Sequence, residues 1–425
     1  MQALVAVPLL VGVAWLLAER RRPFPWRVVL GGLALQFSLG LLFLRAPLVR
    51  EAFSLFSRAF VKVLDFSQEG ALFLFGNLVN PQYRETFGFI FVLQVLPTIV
   101  FFAALTAALY HLGLLQRIVV AFGWVMRRTL GTSGPESLCA ASNVFLGQTE
   151  APLLIRPFLP HVSRSELLAI MVAGMATLAG GVLAAYVGFL GKDDPYLRQV
   201  FALHLMTASV MNAPAALIFA KILSPETDSS PTHRPLTLPS LPRATNLLEA
   251  LANGASDGLR LAANVAAMLL AFIAAIALVN YLLAKVGHLL GLDEWISATS
   301  HGLYKSLSLQ WILGQVFRPL AWLIGINWNE TLAVGALIGQ KIVLNEFIAY
   351  AQLTEMSYLS EKARLLATYA LSGFANFSSI AIQLGGVGSL APERKPELAQ
   401  LGLRAVLGGT LANLLSACWA SLLIE

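Results

Sequence analysis

Apolar segments of about 20 residues, long enough to cross the hydrocarbon core of a bilayer, follow one another along the whole chain. Short polar turns separate them. The pattern predicts about eight transmembrane helices, at residues 4–17, 28–44, 87–112, 166–190, 199–223, 261–286, 365–390 and 401–424. The chain is therefore predicted to be an all-α polytopic membrane protein.

Two further apolar segments are interrupted by polar residues. Residues 131–160 are interrupted at 147–150, and residues 331–353 are interrupted at 345–346. Non-helical backbone at membrane depth is tolerated only where protein or a water-filled cavity surrounds it. We interpret each segment as a re-entrant hairpin, in which two short half-helices meet at a polar tip.

The order of these elements occurs twice. Each hairpin is followed by a helix that is itself interrupted, at residues 174–181 and at residues 372–379. An odd number of crossings between the two units would give them opposite orientations, which predicts an inverted-repeat transport core with opposed hairpins. Interrupted segments at matching positions of two halves indicate a transporter's binding site near the bilayer midplane.

Segments that mix apolar and charged positions are predicted to lie at the membrane surface or outside it. Residues 48–66, 114–130 and 243–260 are typical of interfacial helices, residues 292–322 of short external helices, and residues 224–242 of a cytoplasmic linker.

Four parts are predicted: N-terminal, scaffold and interfacial helices (1–130), the first half of the transport domain (131–224), a part with the linker, interfacial helix, scaffold helix and external helices (225–330), and the second half of the transport domain (331–425).

Composition supports the membrane assignment. Hydrophobic residues make up 57% of the chain and charged residues 12%, whereas soluble domains contain about 25% charged residues. The net charge of +6 is consistent with basic cytoplasmic turns such as 19–27, which would leave the N-terminus outside. The chain has no long Lys/Arg run that would indicate nucleic-acid binding.

Cys139 and Cys418 have no metal-binding or disulfide spacing. The first apolar segment is expected to be a retained helix.

The first polar tip offers an amide, a hydroxyl and a carboxylate on consecutive residues, Gln148, Thr149 and Glu150. These groups suit the edge of a planar heterocycle that has amide-like groups. A carboxylate at the bilayer centre costs roughly 2.5–3.5 kcal/mol and tends to mark a substrate or ion pathway.

The second tip suits a polyol. Glu346 can accept from two neighbouring hydroxyls, and Asn376 and Ser379 follow on the next interrupted helix. Phe374 and Phe377 could pack against a ring. A ligand that is part heterocycle and part sugar would satisfy both tips.

Structural roles compete with these interpretations. Glu150 and Glu346 could form ion pairs with Arg156 and Lys341, and Gln148 with Thr149 could merely satisfy open backbone at the tip. Asn376 and Ser379 could merely form hydrogen bonds that hold neighbouring helices together. Two alternative functions remain open at this point. One is a passive channel, and the other is a membrane enzyme that uses both carboxylates. No HExxH, GxSxG or P-loop pattern supports an enzyme, and a channel would need a continuous polar path.

Several longer motifs resemble the concentrative nucleoside transporter family. They run from about residue 87 to the C-terminus, and residues 1–86 are similar to the bacterial-type members with eight spans. The motifs are Gln94-Val95-Leu96-Pro97-Thr98-Ile99, the run from Gly131 to Pro152, Val343-Leu344-Asn345-Glu346-Phe347, and the run from Gly373 to Ile382. The resemblance implies a homotrimer with elevator-like alternating access, in which a transport domain slides against a scaffold.

The resemblance also implies three groups of site residues. Expected at the nucleobase are Gln148, Thr149, Glu150 and Val182; at the ribose Glu346, Asn376, Ser379, Asn345 and Phe374; and at sodium Asn143, Leu146, Thr177 and Leu178. The expected function is import of nucleosides such as uridine, driven by a sodium gradient across the inner cell membrane. Proton coupling, with Glu150 or Glu346 carrying the proton, is the alternative. No cofactor besides the coupling ion is expected, and the expected partners are nucleoside, Na⁺, membrane lipid and two further copies of the chain.

Overall fold

The structure is a computed structural model that describes residues 2–19, 24–88, 90–192, 194–226 and 244–424. Within these ranges it contains nineteen α-helices and no β-strand. The helices are α1 Gln2–Leu16, α2 Trp26–Leu44, α3 Pro47–Phe75, α4 Arg84–Phe87, α5 Phe91–Gln94, α6 Leu96–His111, α7 Leu114–Leu130, α8 Gly134–Asn143, α9 Arg164–Ala176, α10 Gly180–Gly191, α11 Pro195–Leu223, α12 Leu247–Leu289, α13 Asp293–Thr299, α14 Leu309–Leu323, α15 Thr331–Val343, α16 Glu346–Glu355, α17 Glu361–Leu371, α18 Phe377–Leu390 and α19 Lys395–Leu423. Residues 20–23 of the predicted basic turn and residues 227–243, most of the predicted linker, lie outside the described ranges.

Six helical segments of the described chain are long and apolar enough to cross a membrane. They are Trp26–Leu44, Phe91–His111, Arg164–Gly191, Pro195–Leu223, Leu247–Leu289 and Pro392–Leu423, and α1 and α18 are shorter apolar helices. The predicted all-α polytopic class is confirmed.

Two predicted boundaries are wrong. The interfacial helix at 243–260 and the span at 261–286 are one continuous helix, α12, because no proline interrupts them and both segments remain helical. Gly254 and Gly258 let α12 pack directly on α6, since a Cβ at Gly258 would lie 2.7 Å from the Cα of Val100. The segment at 48–66 is likewise part of a longer helix, α3.

The order of elements repeats. In the first half α6, α7, α8, a 3₁₀ helix at Ala151–Phe158, α9, α10 and α11 follow one another. In the second half α12, α14, α15, α16, α17, α18 and α19 follow in the corresponding order. In each half an amphipathic helix packs on the first arm of a hairpin, α7 on α8 and α14 on α15.

The second arms of the two hairpins differ. In the first hairpin this arm is a 3₁₀ helix, and Pro157 inside it lacks the N–H group that an α-helix would need at that position. In the second hairpin it is the α-helix α16, whose first turn is capped by Asn345 through a 3.0 Å bond from the Ile348 N–H to its side-chain oxygen. Each arm packs against the first arm of its own hairpin.

The helices after the hairpins are divided. A short non-helical segment, called a break below, separates α9 from α10, and a second break separates α17 from α18. The two breaks touch at Gly373, which has φ of +128°. A Cβ there would lie 2.4 Å from the carbonyl oxygen of Ala176, so this crossing requires glycine.

Two buried amides join the breaks. The side-chain amides of Asn212 on α11 and Asn413 on α19 donate to the carbonyl oxygen of Ala176, at 2.8 and 2.7 Å. Asn212 also donates to the carbonyl oxygen of Ser372 at 3.2 Å. The buried carbonyls at the C-terminal ends of α9 and α17 therefore accept hydrogen bonds from side chains of long neighbouring helices.

Charged residues at one end of the fold tie the two halves together. Glu19 pairs with Arg164 at the start of α9, at 2.6 Å, and with Arg404 on α19, at 3.1 Å. The hydrogen bond from Arg164 lowers the pKa of Glu19. This carboxylate therefore links the turn after α1 to both repeats.

Candidate functional site

Glu346 lies at the N-terminus of α16, where the helix dipole favours negative charge. The side chain is buried. One carboxylate oxygen accepts a hydrogen bond from the Tyr186 hydroxyl at 3.0 Å, and the other accepts from the Asn376 amide at 2.7 Å. No ion pair to Lys341 occurs among the described residues, so the structure does not support that alternative.

Asn376 has two roles at once. Its side-chain oxygen caps α18 by accepting from the Ser379 N–H at 2.8 Å, while its amide donates to Glu346. The Ser379 hydroxyl accepts from the Gln148 amide at 3.2 Å. Ser379, one of the predicted ribose residues, therefore contacts the first hairpin. The hydrogen bonds that Asn376 and Ser379 form between elements are compatible with a role in binding.

Gln148 is also bonded to a residue that the sequence analysis missed. The Gln383 amide donates to the side-chain oxygen of Gln148 at 3.1 Å and to the carbonyl oxygen of Met171 at 3.0 Å. Gln383 lies four residues after Ser379 on α18, and this spacing on one helix face was the available signal. A continuous buried chain of hydrogen bonds thus runs from Tyr186 through Glu346 and Asn376 to Gln148 and Gln383.

The remaining residues of these two groups lie beside this chain. Thr149 is half-buried and packs so closely on α18 that a Cβ at Gly386 would lie 2.5 Å from its methyl carbon. Asn345 is buried and its side-chain nitrogen has no hydrogen-bond partner in the described structure. Phe374 is half-buried and packs on the hydrophobic core.

Glu150 is arranged differently from Glu346. Its side chain is exposed, and its carboxylate accepts from the Gly147 N–H at 2.7 Å. No ion pair with Arg156 occurs among the described residues. Glu150 and Val182 line a cavity of about 410 Å³, which is bounded by α6, α12 and the first hairpin and also includes Asp257.

The four predicted sodium residues lie in two neighbouring segments. Asn143 ends α8 and Leu146 follows it, whereas Thr177 and Leu178 lie in the break after α9. The Ser209 hydroxyl joins the segments, since it donates to the carbonyl oxygen of Val144 at 3.3 Å and accepts from the Leu178 N–H at 3.4 Å. Hairpin tip and helix break are therefore held side by side.

This pair of segments has an unused buried acceptor. The side-chain oxygen of Asn143 has no hydrogen-bond partner in the described structure, while its nitrogen donates to the carbonyl oxygen of Cys139 at 3.0 Å. The Thr177 hydroxyl donates to the carbonyl oxygen of Ala173 at 2.8 Å and still has lone pairs free. Oxygen donors of this kind suit a hard cation.

Lys341 is fully buried in the last turn of α15. Its ammonium group donates to the carbonyl oxygen of Ala370 at 3.1 Å and to the side-chain oxygen of Asn413. Asn413 in turn donates to Ala176. The ammonium group thus connects the second hairpin to both helix breaks.

Three family models match the chain. Residues 204–421 match the C-terminus of the Na⁺ dependent nucleoside transporter model, residues 5–78 match its N-terminus, and residues 92–193 match a nucleoside recognition model. The first match alone covers more than half of the chain. Together they include both hairpins and both breaks.

Similar proteins cover nearly the whole chain. The nucleoside permease NupC of Helicobacter pylori is 41% identical, with 99% of this chain and 97% of that protein aligned. Sodium/nucleoside cotransporter 1 of Rattus norvegicus is 38% identical over 96% of this chain, which spans 61% of that protein.

Solved structures of a protein named CNTnw have the same fold. An inward-facing, substrate-bound structure has a TM-score of 0.89 and 40% identity, and covers 99% of this chain and 97% of that one. An outward-facing structure of a CNTnw variant also has a TM-score of 0.89, with 39% identity and the same coverage of both chains. The chain therefore belongs to the concentrative nucleoside transporter family, and it is a multi-pass membrane transporter of nucleosides and not an enzyme.

Proposed function

We propose that the chain is a secondary active symporter that imports nucleosides and couples this import to a sodium gradient. The observation that carries the sodium assignment is the buried, unpartnered oxygen of Asn143 beside the break that contains Thr177. Together with backbone oxygens at Leu146 and Leu178, these residues would hold Na⁺. A bound Na⁺ supplies positive charge in the half of the site that contains Glu150.

The nucleoside is proposed to lie between the two hairpin tips. Gln148, Thr149, Glu150 and Val182 would contact the base, and Glu346, Asn376, Ser379, Asn345 and Phe374 would contact the sugar. The hydrogen-bonded chain that joins these groups supports the assignment, because its members can exchange bonds with one another for bonds with the ligand. The buried free nitrogen of Asn345 is an additional donor for a sugar hydroxyl.

Elevator-like movement is supported by the difference between two packing surfaces. α6 and α12 pack closely through small residues, since a Cβ at Gly254 would lie 2.7 Å from the carbonyl oxygen of Ala103. A cavity separates the same two helices from the first hairpin. The close pair suits a rigid scaffold, and the less filled surface suits sliding. The inward-facing and outward-facing structures of CNTnw show that a related fold adopts two such states.

Uptake by proteoliposomes tests the proposal. Purified protein is reconstituted, and initial uptake of labelled uridine is measured with an imposed Na⁺ gradient, an imposed pH gradient, or neither. The expected result is accumulation with the Na⁺ gradient only. Accumulation with the pH gradient only would favour proton coupling, and uptake independent of both would contradict symport. The proposed homotrimer is tested separately by native mass spectrometry of the purified protein.

A further inference from the structure

Two lysines of the described chain are fully or almost fully buried, and their surroundings differ. Lys221 pairs with the carboxylates of Glu136 at 2.8 Å and Glu226 at 3.1 Å. Lys341 has no carboxylate within 4 Å among the described residues, and its ammonium group contacts one backbone carbonyl and one amide oxygen. A buried charge is normally paired, so the surroundings of Lys341 need an explanation.

Neutral oxygens of these two types are also the ligands of the proposed sodium site. That site combines the amide oxygen of Asn143 with carbonyl oxygens next to the break after α9. The ammonium group of Lys341 contacts the amide oxygen of Asn413 and the carbonyl oxygen of Ala370, next to the break after α17. The C-terminal end of a helix favours a cation in both places.

The positions correspond within the repeat. Asn143 and Lys341 both lie in the last turn of the first arm of a hairpin, seven residues before Glu150 and five residues before Glu346, respectively. The Lys341 ammonium group contacts the break that follows its own hairpin, and the segment that follows Asn143 is joined to the break after α9 through Ser209. The longer side chain of lysine allows it to reach the break from a position further inside the helix.

We propose that the Lys341 ammonium group is a covalently fixed cation in the second repeat, at the place that corresponds to the sodium site of the first. The inference rests on the proposed sodium coupling and deepens it. Lys341 supplies positive charge near Glu346 without any bound ion, whereas Glu150 is compensated only when Na⁺ is bound. Lys341 is a positioning residue, since it acts through Ala370 and Asn413 and does not contact the nucleoside.

A consequence is that the ion requirement is confined to the first half. Without Na⁺ the Glu150 carboxylate at the cavity has no bound cation beside it, and with Na⁺ the charges in both halves balance. Removal of the Lys341 charge should therefore create a need for a second monovalent cation. A merely structural lysine would change protein stability and leave the number of ions unchanged.

The test measures uridine binding to the purified full-length protein by calorimetry over a range of Na⁺ concentrations. The slope of log affinity against log Na⁺ concentration counts the ions bound with the nucleoside. We expect a slope of about one for wild type and about two for Lys341→Asn, whose shorter side chain leaves space and supplies an oxygen. Lys341→Met supplies no oxygen, and its uridine affinity should fall at least about ten-fold at every Na⁺ concentration.

Lys221→Met is the matched control. It removes a similarly buried lysine at a distance from both tips, so it should lower the melting temperature and retain the wild-type slope. A folded Lys341→Asn or Lys341→Met variant with the wild-type slope and affinity would overturn the proposal. Two charges moved per nucleoside by wild type in proteoliposomes would also overturn it, because a second cation would then already bind beside Lys341.

The outcomes also separate this inference from the proposed function. A wild-type slope of zero would contradict sodium coupling itself. In that case a Na⁺ dependence that appears only in Lys341→Asn would still support the fixed cation, and its absence would refute it.

Discussion

The two hairpin tips contain the same chemical group in opposite settings. Glu346 is buried, accepts two side-chain hydrogen bonds and has Lys341 five residues before it in the first arm of the hairpin. Glu150 is exposed to a cavity and accepts only one backbone N–H in the described structure. The second half is pre-organised by the protein, whereas the first half leaves an unused oxygen and an uncompensated carboxylate. The comparison teaches that the two halves hold their carboxylates differently, and the proposed ion dependence belongs to the less complete half.

The largest effect is expected in the complete half. Glu346→Gln should reduce uridine uptake at least about 100-fold, because both the sugar and the two protein donors lose a charged acceptor. Initial uptake rates in proteoliposomes measure the change. Glu355→Gln is the control, since Glu355 is exposed at the other end of the same helix. Near-normal uptake by Glu346→Gln would remove Glu346 from the site.

A change in the less complete half should affect the ion first. Asn143→Ala removes the unpartnered oxygen, so the Na⁺ concentration for half-maximal uptake should rise roughly ten-fold or more. Ser142→Ala is the neighbouring control, since that hydroxyl donates to the carbonyl oxygen of Leu138. An unchanged Na⁺ dependence in Asn143→Ala would show that the side-chain oxygen of Asn143 does not bind the ion.

A smaller effect is expected from one donor to Glu346. Tyr186→Phe keeps the ring and removes the hydroxyl, so uridine affinity should fall about ten-fold. Tyr350→Phe is the matched control, because the Tyr350 hydroxyl donates to the carbonyl oxygen of Thr368 at 2.9 Å and not to Glu346. Equal effects of both substitutions in binding titrations would argue against pre-organisation of Glu346 by Tyr186.

The smallest effect is expected where ion pairs of Glu19 join the halves at one end of the fold. Glu19→Gln should lower stability by roughly 1 kcal/mol at pH 7, since it weakens the pairs with Arg164 and Arg404. Because the pKa of Glu19 is lowered in the folded protein, its contribution is complete above the ordinary carboxyl pKa and is lost as the pH falls through the lowered value. Melting curves of wild type and variant should differ at neutral pH and converge in acid. A difference that persists in acid would contradict this assignment.

Much of the fold could be predicted from one sequence because a bilayer imposes strong local constraints. Apolar length indicated the spans, and polar interruptions at 147–150 and 345–346 indicated both hairpin tips. The boundary at Arg260 was missed because charge suggested a surface helix, while close packing of Gly254 and Gly258 on α6 favours one continuous helix. A local pattern contains no information about such a contact.

The site could be predicted only in part. The residues of the two tips were predicted from the sequence and its family resemblance, but Tyr186 and Gln383 were missed. Tyr186 is 160 residues from Glu346, and Gln383 is 235 residues from Gln148. The four-residue spacing places Gln383 on the same helix face as Ser379, but neither residue's own span indicates which distant hairpin it faces.

The sequence by itself determined the membrane class, the repeated order of hairpin and interrupted helix, and the chemistry available at each tip. These properties depend on residue type and spacing within one segment. The tertiary structure alone decided how the halves meet. The contact of Gly373 with Ala176, the partners of Lys341 and the unused oxygen of Asn143 all depend on which distant helix supplies the neighbouring atoms. Packing across the two repeats therefore gives Glu346 two side-chain donors and leaves Glu150 with one backbone N–H donor in the described structure.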